Sequence, residues 1–359
     1  MNPHEPGRPG FRAMLDIGRY VQRSTLYDRI IARTDEHFWN PLDPDYIDFD
    51  QPMPEGVPII PFAFVPELQS EVGSRLDDAQ KLELAQEHAR WSISNLLHGE
   101  QGALSLSLTL GQLFSDPASQ EYAANQAREE SRHVHGFTCY LQSRFDGEIA
   151  PAGETLARFL TGLVDTDAVS RKIVGMQMVV EGVAVGAFSE MFQRSNDPVL
   201  RRLCQLVITD EAFHHNFGKL WAEHSLAMYP PDARDEVEDF ALQSFNLLLF
   251  NLINTDQKRH IYARLGLDWQ WVRGAMVEAF TDIARTEHLS EQGTVFRTLA
   301  KTLLRAGIIT DRTRRDYAAW LDLDQLAAEH EPSDTILEEG LVLLDDINQS
   351  KRRIVHKIA

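Results

Sequence analysis

The sequence predicts an all-α protein built around a four-helix bundle. From Asp77 onward helix formers dominate, and Gly and Pro fall at punctuation points. Period-2 alternation of apolar and polar residues is nearly absent after residue 70. Two turns, "SDPAS" (115–119) and "NDP" (196–198), each offer an aspartate N-cap followed by proline at the first helical position.

Taken in order, residues 1–75 read as an irregular, Pro-rich arm. Pro41, Pro44, Pro52, Pro54, Pro58, Pro61 and Pro66 are poorly tolerated inside helices. Within the arm "PIIPFAFVP" (58–66) is apolar but punctuated, which suits an extended segment laid over something larger. Residues 76–230 are assigned to the bundle. Its first helix spans about 77–114, and Asp116 and Pro117 open a second that runs to about 145, where "FDGEIAPAG" breaks it. A short helix follows near 153–163, a third long helix covers about 167–194, and Asp197 and Pro198 start a fourth that ends near 226. Beyond "YPPDARD", residues 231–359 are expected to add helices near 232–264, 268–286, 291–307, 312–329 and 334–348, packed on the bundle. The very apolar "FNLLLFNLI" (245–253) can pack on the bundle, form a dimer interface or line a tunnel.

Bulk properties exclude several classes. A chain of 359 residues, 43% hydrophobic, can bury a large core. A net charge of -19 argues against nucleic acid, whose phosphates need clustered Lys and Arg. "KRRIVHK" (351–357) is the one dense cationic run and reads as a solvated end. Cys139 and Cys204 give neither a disulfide framework nor zinc spacing and read as reduced, buried side chains. "MNPHEPGRPG" has no apolar signal core, and nowhere do 18 apolar residues run together, so a cytoplasmic protein without membrane spans is expected.

The chemistry sits in a repeat. Glu-x-x-His occurs at Glu130–His133 and at Glu211–His214, 81 residues apart. The same offset relates Glu100 to Glu181, Ala103 to Ala184, Asp116 to Asp197, Pro117 to Pro198 and Glu129 to Asp210, the signature of a duplicated helix hairpin. Glu100 lies 14 residues before the end of its helix and Glu130 lies 13 residues after Pro117. At about 1.5 Å per residue the chain climbs roughly 21 Å, turns and descends roughly 20 Å, so the two glutamates meet at one height. Glu181 and Glu211 repeat the arithmetic. Two such hairpins packed together gather four carboxylates and two imidazoles, the di-iron or di-manganese carboxylate pattern. Hard oxygens and imidazoles without thiolate disfavour zinc or an iron–sulfur cluster. Glu129 and Asp210 suit the role of holding the far nitrogens of the histidines, Asp210 on His133 and Glu129 on His214. Glu83 and Glu87 share the helix of Glu100, but only Glu100 meets both spacings. Glu181 stands in the otherwise uncharged "MQMVVEGVAVGAF", where a carboxylate is costly to bury alone.

"EESRH" (129–133), "VEGVAVGAF" (180–188) and "DEAFHHNFG" (210–218) resemble the ferritin-like superfamily of di-iron carboxylate proteins over about residues 77–226. The spacing is closest to the oxygen-activating branch: ribonucleotide reductase small subunits and related ligand-binding oxidases, acyl-carrier-protein desaturases and monooxygenase hydroxylases. The resemblance implies two iron ions, Fe/Fe in preference to Mn/Fe, with O₂ as co-substrate. It implies an oxidoreductase that hydroxylates, desaturates or N-oxygenates a small, partly apolar molecule. No glycine motif for a dinucleotide and no Cys cluster is present, so a separate reductase or ferredoxin is implied, and many relatives are homodimers. Two alternatives stay open: a ribonucleotide-reductase-like radical protein and a ferroxidase. Phe137 stands where the radical family usually has tyrosine, with Tyr140 the nearest tyrosine, and "IVHKIA" lacks an acidic, aromatic docking tail. Storage ferritins are much shorter chains. Val185 replaces the Thr that hydroxylases often carry. Leu104, Phe137, Gln177, Ala184, Val185 and Phe217 fall at helical offsets near the ligands and are candidates for a dry substrate pocket, with Ala184 and Gly182 leaving room; ordinary core is the competing reading. His98, His135 and His215 are expected to pack or hydrogen-bond at the bundle surface.

Overall fold

The computed structural model describes residues 16–250, 255–281, 294–329 and 332–358. Every regular element among them is helical. Helices of nine residues or more are numbered α1 (Asp28–Glu36), α2 (Asp78–Leu113), α3 (Pro117–Phe145), α4 (Glu154–Asp165), α5 (Val169–Arg194), α6 (Pro198–Ser225), α7 (Pro231–Phe250), α8 (Trp269–Ala279), α9 (Thr294–Arg305) and α10 (Pro332–Ile358).

The bundle is two antiparallel hairpins, α2–α3 and α5–α6, joined by α4. Local chemistry sets their ends. Asp77 and Gln80 form a reciprocal capping box that starts α2: the Gln80 N–H donates to Asp77 at 2.9 Å and the Asp77 N–H to the Gln80 amide oxygen at 3.1 Å. Asp116 accepts from the Ser119 N–H at 2.9 Å with Pro117 opening α3, and Asp146 ends it in the left-handed region at φ 52°. Asp197 accepts from the Val199 N–H at 2.9 Å to cap α6. The same carboxylate accepts from the Tyr140 hydroxyl at 2.8 Å and Arg144 Nε at 2.6 Å, which ties the top of α6 to the end of α3.

The remaining elements clothe the bundle. Trp39, Ile47, Ile59, Ile60 and Val65 of the arm are buried in one core cluster with Phe137, Phe188 and Leu203. The arm is more regular than its prolines suggest: α1 forms before Pro41, and short 3₁₀ turns form at Phe62–Phe64 and Pro66–Gln69. From α7, Phe245 and Leu249 enter the main core beside Phe296 and Tyr317, which favours the bundle-packing reading of that apolar run; residues 251–253 lie outside the described residues. The third cluster joins Val72 and Leu84 to Tyr262, Val272 and Met276 of the α8 region.

Several sequence-based boundaries are corrected. The helix expected over 232–264 ends as Pro231–Phe250, with a 3₁₀ turn and a short helix at Arg259–Arg264. That expected over 312–329 is two short pieces, Arg314–Ala318 and Leu323–Ala328, separated where Asp322 caps the second. α8 ends at Ala279, and parts of the spans expected at 268–286 and 291–307 lie outside the described residues. The last helix does not stop at 348 but continues through the basic run to Ile358, and Lys351 Nζ binds Asp43 at 2.6 Å and Asp45 at 2.7 Å in the arm. Cys204 is buried but Cys139 only partly. α5 is long and apolar enough to cross a membrane by composition, yet it is largely enclosed as a core helix of the bundle.

Candidate metal centre

α2, α3, α5 and α6 each deliver their glutamate to one level, as the hairpin arithmetic requires. Glu100, Glu130, His133, Glu181, Glu211 and His214 are all between 0% and 3% exposed. Their ligand atoms fall into two sets, each within 4.8 Å: Glu100, Glu130, His133 and Glu211, and Glu130, Glu181, Glu211 and His214. Glu130 and Glu211 belong to both sets. They are therefore placed to bridge two cations, with Glu100 and His133 at one end and Glu181 and His214 at the other.

Interatomic distances support cations over hydrogen bonds. His133 Nδ1 has carboxylate oxygens of Glu100, Glu130 and Glu211 at 3.0, 3.3 and 3.1 Å. His214 Nδ1 has those of Glu211, Glu130 and Glu181 at 3.0, 3.2 and 3.8 Å. One ring nitrogen has at most one proton to share. Three oxygens around it instead resemble the edges of a coordination shell, since an octahedron with bonds of about 2.1 Å has edges of about 3 Å. Glu130 Oε2 and Glu211 Oε1 are buried and accept no hydrogen bond, a cost that a metal would remove.

The electrostatics point the same way. Burial, then the neighbouring carboxylates, push Glu100 and Glu181 well above the usual carboxyl range; for Glu100 the His133 hydrogen bond opposes this and loses. Burial would also raise Glu211, but His214 and the other donors hold it well below. Burial works to lower His133 and His214, and the surrounding acids raise both well above the ordinary imidazole value. Together with Glu129 and Asp210, six buried carboxylates face a single guanidinium, Arg132. Such an excess of buried negative charge calls for cations. The residues fit a pair of hard metal ions.

The far nitrogens of the histidines are held as expected. His133 Nε2 meets Asp210 Oδ2 at 2.9 Å and His214 Nε2 meets Glu129 Oε2 at 2.9 Å. Donation to a carboxylate fixes which nitrogen faces the metal. Asp210 Oδ2 also accepts from Trp39 Nε1 at 2.8 Å and Arg132 Nη2 at 2.7 Å. Gln126 Nε2 donates to Glu130 and Glu181 at 3.2 Å each, and Gln177 Nε2 donates to Gln126 at 2.7 Å. Sequence reasoning did not reach Trp39, Arg132 or Gln126. The 81-residue offset carries Gln126 to Val207 and Arg132 to Phe213, so a search for repeated residues passes over both. Gln126 stands one turn before Glu130, a signal that was legible; nothing in the sequence joins Trp39 to Asp210.

The helix carrying Glu181 is itself unusual. Val174–Val180 forms a π-helical segment ending immediately before that glutamate. A π turn carries one extra residue and re-aims the side chains beyond it, and such turns recur at functional sites. Gln177 sits within it and Gly218 leaves room for it: a Cβ at 218 would stand 2.7 Å from Gln177 Cβ.

The six candidate pocket residues separate. Phe137 stacks on Phe188 at 5.7 Å, and Phe217 stacks on Tyr122 at 3.8 Å, both in closed core. Gln177 is committed to the amide relay, Leu104 is half-buried on α2, and Ala184 packs on the second core cluster. Val185 lines a cavity, a space of about 340 Å³ bounded also by Met178, Ile208 and Ala212. Gly182 does not open substrate space. It faces Leu299 of α9, whose Cα would be 3.2 Å from an added Cβ. His98 bonds the Ala150 carbonyl at 2.8 Å and His135 is exposed, as expected, whereas His215 lines the cavity.

A protein-family model described as long-chain fatty aldehyde decarbonylase matches residues 87–307, more than half of the chain. The chain belongs to this family. It is a ferritin-like di-iron family of enzymes, which agrees with the resemblance read from the paired motifs. The family match spans α2 to α9 and so contains all six converging residues, while the arm and α10 lie outside it.

Proposed function

We propose that the chain is an O₂-dependent di-iron oxidoreductase that oxidises a partly apolar organic molecule, with electrons from a separate reductase or ferredoxin. The observation that carries this reading is the pair of overlapping ligand sets sharing Glu130 and Glu211. Two iron ions held there would supply the reduction of O₂ and the oxidising power. The protein supplies position and dryness. Glu130 and Glu211 would be shared between the two cations, Asp210 and Glu129 fix the histidine rings, and Gln126 steadies Glu130 and Glu181 through its amide. The two aromatic pairs Phe137–Phe188 and Phe217–Tyr122 are fully enclosed, and the six converging residues are themselves at most 3% exposed, so bulk water is kept away from the centre.

The family description names long-chain fatty aldehydes. A substrate with an apolar body agrees with the Val185 cavity, whose volume near 340 Å³ favours a compact molecule. With Phe137 stacked in core at the place of the radical tyrosine, oxidation of a bound substrate is favoured over radical storage.

Metal analysis of the purified protein tests the centre: about two iron per chain is expected, falling below one in Glu130→Ala and in His214→Ala. Chemically reduced protein should then consume O₂ faster when substrate is added. Zinc in place of iron, or steady iron uptake with no response to any organic molecule, would overturn the oxidative reading.

A further inference from the structure

We propose that Gln126 is a positioning residue for one of the two cation positions: its amide, oriented by Gln177 of the π segment, holds the Glu181–His214 position and leaves the Glu100–His133 position to other residues. This rests on the two-cation reading of the centre.

The assignment follows atom by atom. Glu130 Oε1 and Glu181 Oε1 face His214 Nδ1, at 3.2 and 3.8 Å. The same two oxygens accept from Gln126 Nε2 at 3.2 Å each. On the other side His133 Nδ1 meets Glu100 Oε2, Glu130 Oε2 and Glu211 Oε1. Among the described residues, Glu130 Oε2 and Glu211 Oε1 accept from no donor, and Gln126 does not bond Glu100.

The amide has one usable orientation. Gln126 Oε1 accepts from Gln177 Nε2 at 2.7 Å, which turns the two Gln126 N–H donors toward the carboxylates. Turned over, the Gln126 oxygen would face two carboxylate oxygens, a costly arrangement for a fully buried side chain. Gln177 is itself fixed from two directions. It lies in the wider turn Val174–Val180, and it packs against α6 where only a glycine fits, at Gly218. α5 and α6 thus set Gln177, Gln177 sets Gln126, and Gln126 sets the two oxygens.

The duplication does not repeat this arrangement. The 81-residue offset carries Gln126 to Val207, a buried side chain with no donor. The His133 end is braced instead through Asp210, by Trp39 and Arg132. Two positions built from one repeat are therefore held by different residues, and each can be weakened without the other.

The test is titration of the chelator-stripped, full-length protein with Mn(II), the free ion being followed by its electron paramagnetic resonance signal. The wild type should take up two ions per chain. Gln126→Leu should keep one at unchanged affinity and bind the other roughly 10–100-fold more weakly, the usual scale for losing a group that holds a metal ligand. Gly218→Ala, which displaces Gln177 without touching the carboxylates, should weaken the same ion. Two backgrounds identify that ion. In Glu100→Gln, which disables the His133 position, adding Gln126→Leu should weaken the ion that remains. In Glu181→Gln, which disables the His214 position, adding it should change nothing. A general loosening of the fold would weaken both ions alike. That result, no weakening of either ion, or an effect confined to the Glu181→Gln background would overturn the proposal. A wild type that binds fewer than two ions would overturn the two-cation reading itself.

Discussion

Asp210 ties the arm to the metal-facing helices. One oxygen of this carboxylate accepts from Trp39, Arg132 and His133 at 2.7 to 2.9 Å. Asp210→Asn keeps the shape but removes the charge and forces one donor to face an amide. Metal affinity, measured by competition with a chelator, should fall by roughly 10–100-fold. An unchanged affinity would mean that the His133 ring is held by packing alone. The six converging residues and their two acidic partners were legible because a duplication wrote them twice, at one spacing. Trp39, Arg132 and Gln126 each occur once, in service of an asymmetric surrounding, and a pattern that depends on repetition is blind to them.

Helices show the same division. Capping residues at Asp116 and Asp197 announced α3 and α6 to within a residue or two, because local hydrogen bonds decide those starts, and the change of composition at Asp77 marked the start of α2. The π segment in α5 was not announced. "VGMQMVV" has the composition of any buried helix, and the wider turn is set by what packs around it, including Gly218. The contact of α5 with α9 was equally hidden. A Cβ on Gly186 would lie 2.4 Å from Val295 Cα, and one on Gly182 would lie 3.2 Å from Leu299 Cα. Gly186→Ala should therefore cost about 1–3 kcal/mol in chemical denaturation and Gly182→Ala less. The reverse order would show that α9 yields easily.

At the scale of the whole molecule, a buried ionic cluster joins arm, bundle and C-terminal helices. Glu67, fully buried, accepts from Lys258 Nζ and the Tyr262 hydroxyl at 2.7 Å each, with His88 Nδ1 at 3.5 Å. Burial works to raise Glu67, but Lys258 and His88 hold it well below the usual range; burial, then Lys258, pushes His88 below 6.5. Both groups are more readily deprotonated in the fold than in the unfolded chain. Each contribution is fully present above the group's unfolded value, 6.5 for His88 and 4.5 for Glu67, and is lost as pH falls from there through the lowered folded value. Thermal melts should thus show stability declining from pH 7 toward pH 4. Glu67→Gln, which strands Lys258, should cost about 3–5 kcal/mol at neutral pH and less in acid. Metal removal acts on the same scale. Cations bound at concentrations about 1,000 times their Kd add roughly 4 kcal/mol, so stripping them should lower the melting temperature by on the order of 10 °C. A melting temperature indifferent to chelation would show that the carboxylate cluster stands without cations.

The roof of the Val185 cavity is drawn from α9 and α10, whereas the metal-facing residues come wholly from the duplicated hairpins. The metal-facing residues and the cavity's roof thus belong to separable parts of one chain. A change confined to the last helix would therefore reshape this hollow and leave the carboxylate cluster untouched.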